Sequence, residues 1–269
     1  MSPPTDAETG RARQEPEAQT RTRIAADHAL ITPDGHVVAP LVGWSDTQGV
    51  VLVSPSMGHA PREPRFTLTL VHAERRSTAF PPLPGVQRFV YVLEGAVRVN
   101  GETLGPDAYA WLPPPENAAS PHTLKPTEAG RLLVVEQPYD PLPDTPAPAA
   151  VLGHADDRPA EPFLGDPHAR LAHLLPDETD PAFDLAVNRF TFDPGAKLPF
   201  VETHHNEHGL YLQHGAGVYR LGSGDDTLWA PVTAGDAIWM AAYCPQWFNN
   251  TGDAPATYLY TKNVNRPPR

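Results

Sequence analysis

In the stretch FVETHHNEHGLYLQHGAG (200–217), Glu202, His204, His205, Glu207 and His208 crowd into seven residues. Carboxylates and neutral imidazoles at such spacing are the donors a divalent cation takes. Glu202 and His204 are two apart, so on a strand both project from one face. His208 follows after a predicted turn at His205–Glu207 and begins a returning strand. His205 and Glu207 have the wrong parity or lie in the turn, and are expected to face solvent or to support the ligands from behind. His214, beside Gly215, is expected to be structural. The plain alternative is three histidines gathered in one loop by chance, and a second, independent spacing is needed to weigh against it.

Short strands must position these groups. Proline reaches 34 of 269 residues, which disfavours long helices and suits strands joined by turns. FTLTLVHA (66–73), FVYVLEG (89–95), AVRVN (96–100) and RLLVVE (131–136) are strand candidates in the first half. DLAVNRFTF (184–192), HGLYLQHG (208–215), GVYRLG (217–222), DAIWMA (236–241) and ATYLYTK (256–262) are those of the second. Several alternate apolar and polar residues, the period of a half-buried strand. RLAHLL (170–175) is predicted as a short helix. The halves repeat one another: YVLEGAV from Tyr91 matches YLQHGAG from Tyr211, and GPDAYAWLP (105–113) matches AGDAIWMAA (234–242). The predicted architecture is all-β, two antiparallel jelly-roll barrels in tandem. Its expected divisions are a disordered polar tail at 1–23, an N-terminal barrel at 24–137, a proline-rich connector at 138–167 and a metal-binding barrel at 168–269.

The spacing around His208 resembles the cupin superfamily, whose first motif is H-x-H, three or four residues, E, six residues, G. Here Glu202-Thr203-His204, three residues, His208, six residues and Gly215 keep that register, with Glu and His exchanged. The second motif runs G, five residues, P-x-G, two residues, H, three residues, N. From Gly235 the chain places Ala241, Tyr243, Gln246 and Asn250 there, so Gln246 stands for the usual His ligand. Two imidazoles, a carboxylate and an amide oxygen form a hard set suited to Mn²⁺ or Fe²⁺, although Ni²⁺ or Zn²⁺ could load by availability. One ion per chain is expected. By the repeat alignment Pro82, Pro84, Arg88 and Asn117 replace the four ligands in the first half, which should hold no metal. Cys244 has the parity of Gln246, but a small buried filler is its expected role.

Net charge is −12, which argues against nucleic acid and anionic membranes as partners. A single cysteine excludes an internal disulfide and fits a reducing cytosol. No apolar run approaches the roughly 18 residues of a spanning helix, and the N-terminal residues lack the apolar core of a signal peptide. A soluble cytoplasmic protein is expected.

ETHHNEHGLYL, GVYRLG, GDAIWMAAYCPQW, the terminal YLYTKNVNR and ALITPDGHV (29–37) resemble the matching blocks of the (S)-ureidoglycine aminohydrolase family, bicupins of purine degradation. The likeness covers most of 24–269. It implies hydrolysis of (S)-ureidoglycine to (S)-ureidoglycolate and ammonia, Mn²⁺, and a homo-oligomer. It also implies that Tyr219, Tyr258 and Lys262 surround the substrate beside Glu202, His204, His208 and Gln246. The chemistry is consistent: a Lewis acid activates water, Glu202 can shuttle a proton to the leaving amine, and Lys262 can take the substrate carboxylate. Tyr258, Tyr260 and Lys262 share strand parity, so one inward pointing implies three. Two rivals remain open, an Fe²⁺ or Mn²⁺ cupin dioxygenase, decarboxylase or isomerase, and a ligand-binding bicupin without activity.

Overall fold

The computed structural model describes residues 20–58, 62–115 and 122–266. Asn117 and residues 1–19 of the expected tail lie outside them. Among the described residues the architecture is all-β, antiparallel throughout, interrupted by single 3-10 turns such as Pro33–Gly35 and Gly224–Asp226.

The second half is a jelly roll of two facing sheets. The larger runs, in hydrogen-bonded order, Arg23–Ile24, His28–Ile31, Ala237–Met240, His208–His214, Ala256–Asn263, Leu185–Phe192, Asp166–His173 and Ala160–Phe163. The smaller is Leu228–Thr233, Ala216–Leu221 and Gln246–Asn249. Between them Leu210, Leu212, Phe190, Phe192, Phe248, Ile238 and Tyr258 form one core. A third sheet belongs to the first half and runs Val151–His154, Ala108–Leu112, Val86–Val99, Leu124–Pro138, Thr67–Ala73, Gln48–Val53 and Ala39–Pro40.

The large sheet of the second half packs against this third sheet, so its central strands are covered on both faces. Tyr211, Trp239, Leu259 and Val187 meet Leu68, Leu70, Phe89, Tyr91, Trp111 and Leu133 in a core between the barrels. Alternation therefore sorts shape rather than polarity: Leu210 and Leu212 fill the barrel, and Tyr211 fills the interface. Double coverage explains the continuous apolar runs in DAIWM and YVL. Burying each such side chain contributes roughly 1.5–3 kcal/mol. Gly209 is needed at this interface, because a Cβ there would stand 2.4 Å from the Phe66 ring.

The repeat carries a shared backbone event. Gly95 and Gly215, matched in the two copies, adopt φ of 76° and 80°. A Cβ on Gly215 would approach the Ala256 backbone at 2.6 Å, and one on Gly95 would approach Ala129 O at 2.5 Å.

Several elements differ from the sequence expectation. RLAHLL is not helical: Arg170–His173 close the strand Asp166–His173, which is hydrogen-bonded to a strand on each side, and Leu174 and Leu175 follow in a bend. The two strands expected at 89–95 and 96–100 form one, Val86–Val99. The connector holds two strands, Val151–His154 on the first-half sheet and Ala160–Phe163 on the second-half sheet. The first is half-buried and the second largely exposed, which is why they carry little apolar pattern. Thr20–Arg23 are ordered, and Arg21 pairs with Asp236 at 2.8 Å. The sheets also cross the expected division between the barrels, because His28–Ile31, inside the expected first barrel at 24–137, pairs with Ala237–Met240 in the second-half sheet.

Candidate active site

A cavity of about 150 Å³ opens inside the second barrel, lined by Glu202, His204, Asn206, His208, Tyr219, Gln246, Tyr258, Tyr260 and Lys262 with Phe163, Phe190 and Leu210. Backbone pairing places the donors. Glu202 and Gln246 form an isolated antiparallel bridge, N–H to O at 2.8 Å one way and 2.9 Å the other. His208 opens its strand directly opposite Lys262 of the last strand, and cross-strand partners share a face. Tyr260 and Tyr258 follow on that face at every second residue. Tyr219 enters from the opposing sheet, in its middle strand.

The turn before Gln246 departs from the motif in residue but not in shape. Tyr243 stands where the pattern has glycine and adopts φ of 63°, the left-handed region. Its amide donates to His204 O at 2.8 Å, which ties the two halves of the donor set together.

The amide of Gln246 sits at the centre. Its Oε1 accepts from the Tyr219 hydroxyl at 2.7 Å, and its Nε2 lies 3.0 Å from His204 Nε2 and 3.3 Å from His208 Nδ1. The two imidazole rings are 4.4 Å apart between centroids. Burial pushes His208 well below the ordinary imidazole value, aided by His204 and Lys262. Burial likewise lowers His204 and raises the carboxyl of Glu202, against which Lys262 acts as the opposing charge. Tyr219 and Tyr258 are raised well above ordinary phenol by burial, so both keep their protons.

These properties fit a divalent cation. Buried His208 Nε2 and His204 Nδ1 have no hydrogen-bond partner among the described residues. Neutral imidazoles present lone pairs, and a buried carboxylate calls for a positive partner. Gln246 as a ligand would present its oxygen, now held by Tyr219, in place of its nitrogen.

A tighter cluster of donor atoms lies beside the cavity. Atoms of Asp27, His28 and Cys244 stand within 4.8 Å of one another. There Asp27 is already paired with His28 at 2.9 Å and Arg62 at 3.3 Å. Burial pushes the Cys244 thiol up to about 12, and a protonated thiol is a poor ligand. Cys244 packs in the barrel core as a filler, while the four donors predicted from the motif converge on the cavity.

Other expectations meet the structure unevenly. His205 and His214 are exposed. Glu207 does not face solvent: it is buried, accepts from Trp239 Nε1 at 2.9 Å and pairs with Arg65 Nε at 3.2 Å, bolting the site turn to the first half. Lys262 points into the cavity but already holds a carboxylate, Asp177 Oδ2 at 2.9 Å. No motif announced Asp177, which sits in a polar loop without periodicity. In the first half, Arg88 is buried and pairs with Glu136 at 2.6 Å. It lines a larger, mostly apolar cavity of about 750 Å³ with Pro82.

The cupin domain family model matches residues 188–262. The chain is 36% identical over 254 residues to (S)-ureidoglycine aminohydrolase of Arabidopsis thaliana, covering 93% of this chain and 80% of that one. It is 30% identical over 243 residues to the enzyme of that name from Escherichia coli K12, covering 88% of each. The crystal structure of protein Ylba from E. coli superposes with a TM-score of 0.74 at 30% identity, over 92% of this chain and 96% of that one. This chain belongs to the (S)-ureidoglycine aminohydrolase family, within the cupins.

Proposed function

We propose that this chain hydrolyses (S)-ureidoglycine to (S)-ureidoglycolate and ammonia, with one Mn²⁺ held by Glu202, His204, His208 and Gln246. The observation that carries the reading is the convergence of one carboxylate, two neutral imidazoles, two amides and one ammonium on a cavity of about 150 Å³, the scale of a small polar substrate.

A bound divalent ion would supply Lewis acidity and lower the pKa of a water molecule. The residues do the rest. Lys262 takes the substrate carboxylate, because it is the one Lys or Arg among the described residues lining the cavity. Tyr219 and Tyr258 act as hydrogen-bond donors rather than bases. Glu202, with its carboxyl raised by burial, can accept a proton from water and return it to the departing amine. The balance is simple: water oxygen bonds to the α carbon, the carbon–amine bond breaks with its electron pair on nitrogen, and the transferred proton completes ammonia. Phe163, Phe190 and Leu210 close the apolar side and keep bulk water out.

The accompanying expectations are a cytoplasmic location and a homo-oligomer. No helix among the described residues is long and apolar enough to cross a membrane. Exposed Val37, Val42, Phe80 and Leu83 offer apolar surface that a second copy would cover. The deciding assay is ammonia release from freshly made (S)-ureidoglycine with and without added Mn²⁺. Manganese-dependent release supports the reading. Its absence, with oxygen consumption or turnover of a 1,2-dicarbonyl acid instead, replaces hydrolysis with one of the redox or decarboxylating cupin reactions.

A further inference from the structure

The cation assigned to the substrate carboxylate is already neutralised. Lys262 Nζ lies 2.9 Å from Asp177 Oδ2, and the side chains are only 16% and 14% exposed. The pair is asymmetric. Asp177 sits on a pinned loop: Asn265 Nδ2 donates to the backbone oxygens of Asp177 at 3.1 Å, Asp180 at 3.1 Å and Phe183 at 3.0 Å. His173 Nδ1 stands 3.5 Å from the same carboxylate oxygen. Lys262 reaches it along a flexible four-carbon stem and has three N–H donors to place.

Asp177 does not line the cavity that Lys262 lines, so its carboxylate holds the ammonium without occupying substrate space. Its Oδ1 is buried without a hydrogen-bond partner among the described residues. The carboxylate is thus satisfied on one oxygen only, while the loop that carries it is fixed by Asn265.

We propose that Asp177 is a positioning residue, an exchangeable counter-ion that aims the Lys262 ammonium at the cavity and yields it to the substrate carboxylate. This rests on the reading of Lys262 as the carboxylate anchor. Two carboxylates then compete for one ammonium, so Asp177 weakens anion binding while fixing where the anion binds. Because the carboxylate survives the reaction, the same competition speeds departure of the product.

The test uses full-length, manganese-loaded protein and glycolate, an unreactive hydroxy acid with a carboxylate and hydroxyl like those of the product. Asp177→Asn keeps the shape and an acceptor for Lys262 but removes the competing charge. Calorimetry should find glycolate bound about fivefold more tightly than by the unsubstituted chain. In a Lys262→Met background, Asp177→Asn should change glycolate affinity by less than about twofold. Asp177→Ser repeats the measurement should the amide disturb the loop. With (S)-ureidoglycine, KM and kcat should fall together in Asp177→Asn, a split that simple loosening of the loop would not give.

Unchanged or weaker glycolate binding by Asp177→Asn overturns the proposal, as does a gain that persists without Lys262. Failure of the chain to release ammonia, with the glycolate cycle intact, would sink the substrate assignment and leave the Asp177–Lys262 competition standing.

Discussion

The Tyr219 hydroxyl donates to Oε1 of Gln246 at 2.7 Å, and both side chains are buried. One phenol therefore sets which way the amide faces the imidazoles, and with Gln246 turned to present its oxygen the same phenol would accept from Nε2. Tyr219→Phe keeps the ring packed against Phe248 and removes that partner together with the hydroxyl's weak contact to Met240 Sδ at 3.9 Å. Groups that orient a metal ligand typically matter by about 10- to 100-fold. Manganese affinity should fall in that range with the unfolding temperature little changed, as read by metal titration and thermal melts. Unaltered affinity would mean that Gln246 is held by the backbone bridge to Glu202 alone.

His208→Ala should leave the purified chain without stoichiometric manganese, because the variant loses the most buried imidazole of the set. Cys244→Ala should retain the metal, since its thiol keeps its proton. Elemental analysis of both variants separates the cavity from the Asp27–His28–Cys244 cluster. The opposite pattern would move the metal to that cluster.

Lys262→Met should reduce kcat/KM by about ten- to a hundredfold, the loss of a charge-assisted hydrogen bond of roughly 1.5–3 kcal/mol. Bound manganese should not change. Lys262→Arg should recover part of the loss, because a planar fork is a poor substitute for a compact ammonium in this space. Near-normal turnover by Lys262→Met would send the search for the carboxylate's partner elsewhere.

Away from the site, Arg170 and His168 hold the carboxyl of Asp193 well below the usual carboxylate range. A depressed folded pKa means that stability is present above the unfolded value of about 3.9 and is lost as pH falls through the folded value. Asp193→Asn should cost up to about 1 kcal/mol at pH 6, since the pair is partly exposed. That difference should close progressively as denaturation is repeated from pH 4 towards pH 2. A gap constant across that range would assign the effect to packing instead.

Fold class was legible because strand periodicity and the duplicated Tyr91 and Tyr211 blocks report local backbone geometry. The donor register was legible for a similar reason: a turn of fixed length separates His204 from His208 whatever residues fill it. Tyr243 shows the limit of reading residue types, because a tyrosine adopts the left-handed turn that the pattern assigns to glycine. What stayed hidden depends on distant pairing. Asp177 meets Lys262 only after the loop folds over the last strand, and Glu207 meets Arg65 only when the barrels pack. Residues 170–175 read as a short helix because Leu171, Leu174 and Leu175 fall at helical spacing, while the strand pairing of Arg170–Ala172 on both sides leaves no mark in the sequence.

The pairing of Ala29 with Trp239 has a consequence for how the chain is made. On a ribosome, the strand His28–Ile31 emerges long before its partner Ala237–Met240. At roughly 5–20 residues per second, the early strand waits some ten to forty seconds with an unmatched edge. The larger sheet of the second barrel cannot be completed until Ala237–Met240 has been made, and the candidate ligands gather only once Gln246 has emerged. A nascent chain stalled before Met240 would expose an apolar strand, and cutting the gene between the halves would separate that strand from the sheet it completes.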